Sequence, residues 1–238
     1  VGPFSANSTG RRDGAALAAE PGAAHGVRTR ILAADLATPC GIGTVIEAVQ
    51  GEDVGLLVAA AGFGSSGAFR SCDLDAELAM RDVNCRAVLA LNHRFGQRVA
   101  TRQRGAIVLF FSRVAFQGVP RAAHEAATKA WLQSLAEGIA PEPKARGMDV
   151  VAAAPGPVRS GFARRARMTI GATDSPAAVA HGMLAALGRR VTVRPAPLSK
   201  LLAWALAFMP RRDRVRMTGI IMSGMNWHSD GPKAGRTA

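Results

Sequence analysis

Three largely apolar runs constrain how this chain can fold. Val54 to Ala61, Ile107 to Phe111 and Met148 to Ala154 each have the length of a buried strand, and helix-length segments lie between them. A strand apolar at nearly every position buries both of its faces, and strands that alternate with helices pair in parallel. A further strand is predicted over Val27 to Leu36, closing at Asp35. Helices are predicted over Arg11 to Ala24, Thr44 to Val49, Asp75 to Gln103, Ala122 to Ala140 and Pro176 to Leu187. The long third helix sets Leu78, Val83, Ala87, Leu91 and Phe95 along one face. Past Arg159 no strand signal remains. Ligands of such sheets sit at the carboxyl ends of the strands, which turns attention to Gly62-Phe63-Gly64 and Pro155-Gly156-Pro157.

The 238 residues suffice for one domain, and 48% apolar with 20% charged residues excludes a disordered, collagen-like or disulfide-scaffold chain. We expect a single domain over 1–228, irregular at 1–10, helical and basic over 190–228, with a disordered tail at 229–238. The net charge of +13 is carried by arginine, since the only lysines are Lys129, Lys144, Lys200 and Lys233. Arginine amid abundant alanine and glycine is a compositional habit, so no nucleic-acid partner is expected; a small molecule or an acidic membrane surface is the simpler partner. Cys40, Cys72 and Cys85 are odd in number and lack C-x-x-C spacing, so reduced thiols and no metal site are expected. No secretory signal opens the chain, which points to the cytoplasm. The apolar run Leu201 to Met209 is too short to span a bilayer, though with Arg211, Arg212, Arg214 and Arg216 it suits peripheral membrane contact or the roof of an apolar pocket. Trp131 and Trp204 are read as packing residues, and a homo-oligomer is compatible with this composition.

Four landmarks, in order and spacing, make the chain resemble the short-chain dehydrogenase/reductase family from about Arg11 to Met225. Asp35 resembles the family's adenine-contacting aspartate. Val58-Ala59-Ala60-Ala61-Gly62 resembles its Asn-Asn-Ala-Gly strand end. Asn84, Ser112 and Lys129 match three positions of its catalytic tetrad, and Pro155-Gly156-Pro157-Val158-Arg159-Ser160 resembles the turn whose hydroxyl holds the nicotinamide carboxamide. Arg11 and Arg12 resemble the basic pair that grips the 2′-phosphate in NADP-preferring members. The resemblance implies a doubly wound, Rossmann-like parallel sheet and NADP(H) or NAD(H) as cofactor. It also assigns catalytic roles to Asn84, Ser112, Glu125 and Lys129, and cofactor contacts to Arg11, Arg12, Asp35, Ala59, Gly62, Lys129, Pro155, Gly156 and Ser160.

Two departures bear on activity. The family's Tyr-x-x-x-Lys reads Glu125-Ala126-Ala127-Thr128-Lys129 here, in a chain with no tyrosine. A carboxylate four residues before a lysine shares its helix face, so Glu125 is expected to pair with Lys129, stay ionised and serve as a base. His124 is expected at the rim, Ser112 to keep a structural hydroxyl, and Asn84 to bridge within its own helix. The second departure is the glycine-rich turn that meets a dinucleotide's pyrophosphate at a helix N-terminus. Thr9-Gly10-Arg11-Arg12-Asp13-Gly14 imitates it, but no apolar strand is read before Thr9, so the doubly wound sheet is expected to be incomplete, with exposed edges. Three functions follow: a dinucleotide-linked oxidoreductase on a small or lipid-like alcohol or carbonyl; a pseudoenzyme or non-redox binding protein with no cofactor; or an isomerase or lyase with Glu125 as base.

Overall fold

The computed structural model describes residues 4–7, 24–144, 147–166, 168, 169, 171, 173–195, 200, 201, 204 and 208–225. The expected helix over Arg11 to Ala24, nearly all of it, falls outside these residues, as do Arg11, Arg12 and the tail at 229–238.

The described residues hold six strands: β1 (Phe4–Asn7), β2 (Arg30–Ala33), β3 (Leu56–Ala59), β4 (Gly105–Phe110), β5 (Met148–Ala153) and β6 (Thr192–Val193). Every pairing is parallel. They form two sheets, β1-β2 and β3-β4-β5-β6, so among the described residues no strand bridges the β1–β2 pair and β3. Two expectations are corrected. A strand does precede Thr9, but β1 is only four residues, two of them polar, and leaves no periodic signal. The sheet also continues past Arg159: β6 is two residues long and exists because β5 pairs with it, with Ala152 N donating to Val191 O (2.6 Å) and Ala154 N to Val193 O (2.8 Å). The 190–228 segment is therefore not wholly a helical cap.

The long helices are α1 (Pro39–Ala48), α2 (Leu74–Arg81), α3 (Val88–Arg102), α4 (Ala123–Ile139), α5 (Pro176–Leu184) and α6 (Arg211–Met225). α1 starts earlier than its apolar pattern, because Thr38 Oγ1 accepts from Gly41 N (3.0 Å) and Pro39 fills the first helical position. α2 and α3 are joined by a π-helical turn over Asp82–Ala87. The wider turn resets the buried face, so Val83, Ala87 and Phe95 are buried while Leu78 is exposed and Leu91 only half-buried.

The core follows strand alternation. Ile107, Leu109, Phe111, Val150 and Ala152 face α3 and α4, where Phe95, Val99, Leu132 and Ala136 receive them. Val108, Val151 and Ala153 face the other way, onto Met183 and Ala186 at α5. Helices thus cover both faces at β4 and β5. Trp131 packs against the core as expected, whereas Trp204, beyond the last described strand, is 65% exposed and meets the Phe208 ring edge to face at 5.7 Å. No described helix is long and apolar enough to cross a membrane.

Candidate active site

The site assembles at the carboxyl ends of β3, β4 and β5 around one buried amide. Asn84, in the π-turn, is fully buried: its Oδ1 accepts from Phe63 N (3.2 Å), and its Nδ2 donates to Phe63 O (2.9 Å) and Thr128 Oγ1 (3.0 Å). Asn84 therefore staples the loop after β3 to α4, a longer reach than the within-helix bridge read from sequence. Backbone groups in that loop would cost free energy if left unpaired, so the amide fixes where Gly62 and Gly64 lie. Both glycines are needed for space. A Cβ at Gly62 would sit 2.9 Å from Asn84 Oδ1 and 3.2 Å from Lys129 Nζ, and one at Gly64 would collide with the Glu125 carboxylate.

Glu125 and Lys129 are both buried on α4, 5% and 7% exposed. Their head groups diverge: the carboxylate packs on Gly64 and the ammonium on Gly62. No carboxylate lies within 4.0 Å of Lys129 Nζ among the described residues, so the expected contact pair is a through-space attraction. Burial pushes the Glu125 carboxyl up to about 7; Lys129 pulls it down, and Glu77 adds a smaller push upward. The expectation of a fully ionised Glu125 is thereby corrected: near neutrality it carries a proton about half the time. Burial also lowers Lys129, against the attraction of Glu125 and of Cys85. Beyond Glu125, buried Glu77 accepts from or is paired with His124 Nδ1 at 2.7 Å, so His124 is anchored rather than merely at the rim.

The remaining assigned residues divide. Pro155 and Gly156 follow β5 directly, and Ser160 begins the next helical turn, its Oγ accepting from Phe162 N (3.4 Å). Ser112 follows β4 and its Oγ accepts from Val114 N (3.4 Å), which is a capping duty. Asp35 is exposed and shapes the entry to α1, with Oδ1 accepting from Ala37 N (3.0 Å). Ala59 ends β3, half-buried against the core. Glu77 and Thr128 were missed. Thr128 lies three residues from Glu125 on the same helix face and was legible; Glu77 reaches His124 across 47 residues and carries no local signal. Cys40, Cys72 and Cys85 are free, and among the described residues no group of three or more His, Cys, Asp or Glu is placed to hold a metal.

Asn84, Lys129 and Glu125 thus close around Gly62 and Gly64. At the entry to α1, Gly41 N donates to Thr38 Oγ1 and Ala37 N to Asp35 Oδ1. The short chain dehydrogenase family profile matches residues 5–170. This chain belongs to that family. It is 29% identical over 134 residues to a 7β-hydroxysteroid dehydrogenase of Collinsella aerofaciens, a match covering 56% of this chain and 51% of that protein. The chain thus spans about half the length of this curated relative. A solved 7β-hydroxysteroid dehydrogenase, studied for its stereoselectivity, superposes with a TM-score of 0.81 at 22% identity, over 90% of this chain and 85% of that one. A Sphingobium yanoikuyae short-chain dehydrogenase solved with NADPH gives 0.76 at 23% identity, over 98% and 88%. A ketone-specific alcohol dehydrogenase of Comamonas testosteroni gives 0.72 at 22%, over 98% and 86%. At these identities the likeness to solved structures is one of fold.

Proposed function

We propose that this chain is an oxidoreductase acting on a bulky, lipid-like secondary alcohol or ketone with NADP(H) or NAD(H), and that Glu125 takes the proton-transfer role its relatives give to tyrosine. The observation that carries this reading is the Glu125 carboxyl, buried at Gly64, one helical turn from Lys129 and titrating at about 7. A group with that value donates or accepts a proton at neutral pH with little penalty in either direction. Lys129 and the Pro155–Ser160 turn would hold a dinucleotide, which when bound would supply hydride chemistry. Glu125 protonates the developing alkoxide in reduction and takes the proton back in oxidation. Lys129 carries its charge at Gly62, one helical turn from Glu125, where it favours a developing oxyanion, and Asn84 keeps the β3 loop and α4 in register so that the two head groups stay apart.

The test is NADPH oxidation with a panel of bulky ketones by the wild-type chain and by Glu125→Gln, alongside NADPH and NADH titrations followed by fluorescence and thermal stability. Turnover lost in the variant with cofactor binding unchanged supports the proposal. Cofactor binding without turnover in either protein overturns the redox reading and leaves a binding protein without redox activity. Turnover that survives Glu125→Gln overturns the role of Glu125.

A further inference from the structure

Two arginines, one on either side of β5, stand at the carboxyl rim of the sheet with side-chain nitrogens that have no hydrogen-bond partner. Arg113 follows Ser112 at the end of β4, and Arg194 follows Val193 at the end of β6. β5 lies between those strands, so the two ends are about 10 Å apart at the usual strand spacing. The two guanidinium groups are close enough for the Arg194 charge to act on Arg113. Arg113 Nε and Nη1 and Arg194 Nε are buried from solvent, and none has a hydrogen-bond partner. Neither arginine has an ion pair among the described residues. Arg194 lies over the Phe116 ring, 4.9 Å from its centroid, which fixes its plane without satisfying its N–H groups. Burial and the facing charge of Arg194 both hold the Arg113 guanidinium below its ordinary value.

Buried donors left unpaired are costly, and two like charges facing each other add to the cost. Nothing within the described residues repays it. Arg194 also lines a cavity of about 640 Å³ along the open edge of β6, whose other charged walls are Arg189, Arg190 and Lys200. No Asp or Glu lines it. A guanidinium fork offers donors in the spacing that an oxyanion accepts in pairs.

We propose that Arg113 and Arg194 form a binding site for an oxyanion, the phosphate or carboxylate group of a ligand seated at the carboxyl ends of β4 and β6. The arginine site stands on its own geometry; that the anion is part of the substrate rests on the oxidoreductase reading above. Placed beside the Pro155–Gly156 turn, it holds the anionic end of a substrate whose reacting carbon lies toward Glu125, and Arg189, Arg190 and Lys200 draw such ligands in along β6.

The probe is inorganic pyrophosphate, titrated at constant ionic strength against chloride and followed by thermal stability. Wild type, Arg113→Gln, Arg194→Gln, Arg194→Lys and the remote surface control Arg70→Gln are compared. The wild type and Arg70→Gln gain a saturable rise in Tm; Arg194→Gln and Arg113→Gln lose it or need at least tenfold more pyrophosphate. In chloride alone, Arg194→Gln is no less stable than wild type, because it removes a repulsion. Arg194→Lys keeps a partial response and guards against a variant that fails to fold. An equal rise in all five proteins overturns the site, since it reports only general exclusion of the anion from protein surface. The source of the anion is read separately, from the KM of a bulky ketone against that of its carboxylate analogue. A lower KM for the carboxylate that Arg194→Gln erases places the anion on the substrate; equal KM values with an intact pyrophosphate response assign the site to a free phosphate and overturn the substrate assignment alone.

Discussion

Val58 and Val108 are register partners on adjacent parallel strands, yet the first is 44% exposed and the second fully buried. The difference lies in what stands on either side. β4 has β3 and β5 as neighbours and helices over both faces, while β3 has β4 on one side and, among the described residues, no strand on the other. On that open flank Leu56 and Val58 border a cavity of about 1420 Å³, walled by Val45, Ile46, Val83, Ala87 and Leu91. At its lower end Arg98 donates to Val49 O (2.8 Å) and Glu52 O (2.7 Å), and Arg102 to Val54 O (2.7 Å). The closed flank holds Glu125 and Lys129 against a rigid core, and the open flank carries the strand whose loop they touch. Chemistry that depends on Gly62 and Gly64 therefore depends on both.

The largest effects are expected where the flanks meet. Glu125→Gln is expected to lower kcat of the proposed reaction by about 10²- to 10⁴-fold, the usual worth of a positioned proton donor. Gly64→Ala is expected to match it with Glu125 intact, since the added Cβ would meet the carboxylate and lie 2.8 Å from the Phe162 ring. Steady-state kinetics of both variants check this. A fully active Gly64→Ala would mean the β3 loop moves freely of α4, and the coupling of the flanks would be lost as an idea.

The pH dependence of stability isolates the closed flank. The Glu125 carboxyl titrates at about 7 in the fold against 4.5 for the free group. A raised value means the folded state binds the proton more tightly than the unfolded one, so the stability is fully present below pH 4.5 and is lost as pH rises through 7. The linkage amounts to about 3 kcal/mol across that window. Glu125→Gln is expected to flatten this slope, by denaturant unfolding at pH 5, 6, 7 and 8. An unchanged slope would mean Glu125 is solvated in solution.

Next in size is the register pair itself. Val108→Ala removes two methyl groups from a fully buried position and is expected to cost about 2 kcal/mol, whereas Val58→Ala is expected to cost about 0.5 kcal/mol or less. Urea unfolding of the two variants measures the contrast. Equal costs would break the comparison, because they would require Val58 to be covered in solution as Val108 is.

Most of the closed flank was legible in the sequence. Ile107 to Phe111 and Met148 to Ala154 are apolar at nearly every position because two helical layers cover them, so composition alone marked them as central strands. Glu125 and Lys129 were legible as a helix-face pair, since spacing along one helix fixes direction. What spacing could not show was burial: whether a carboxylate keeps its charge depends on Gly64, Glu77 and the loop after β3, which come from other parts of the chain. β6 and β1 were missed because two and four residues cannot display a period. Arg113 and Arg194 drew no attention, since an arginine is remarkable only when its nitrogens are seen to be buried and unpaired.

The smallest effects offer the finest test, because the two flanks carry matched helix starts. α1 opens Thr38-Pro39 and α5 opens Ser175-Pro176, each hydroxyl accepting from a backbone N–H three residues on, at 3.0 Å and 3.1 Å. Replacing either hydroxyl residue by alanine orphans one N–H and is expected to cost about 1 kcal/mol locally. The readout should differ between flanks. α5 packs Met183 onto Val108 and Val151 of the closed sheet, so Ser175→Ala is expected to lower the global unfolding free energy by the whole amount. α1 packs Ile42 and Val45 against Leu36, Val83 and Ala87 beside the open cavity, where opening of a part need not open the whole. Thr38→Ala is therefore expected to speed hydrogen exchange in α1 while leaving the slowest-exchanging amides of β4 and β5 unchanged. If Thr38→Ala instead accelerates the β4 and β5 amides as much as Ser175→Ala does, the flanks unfold together and the open side is as firmly held as the closed one.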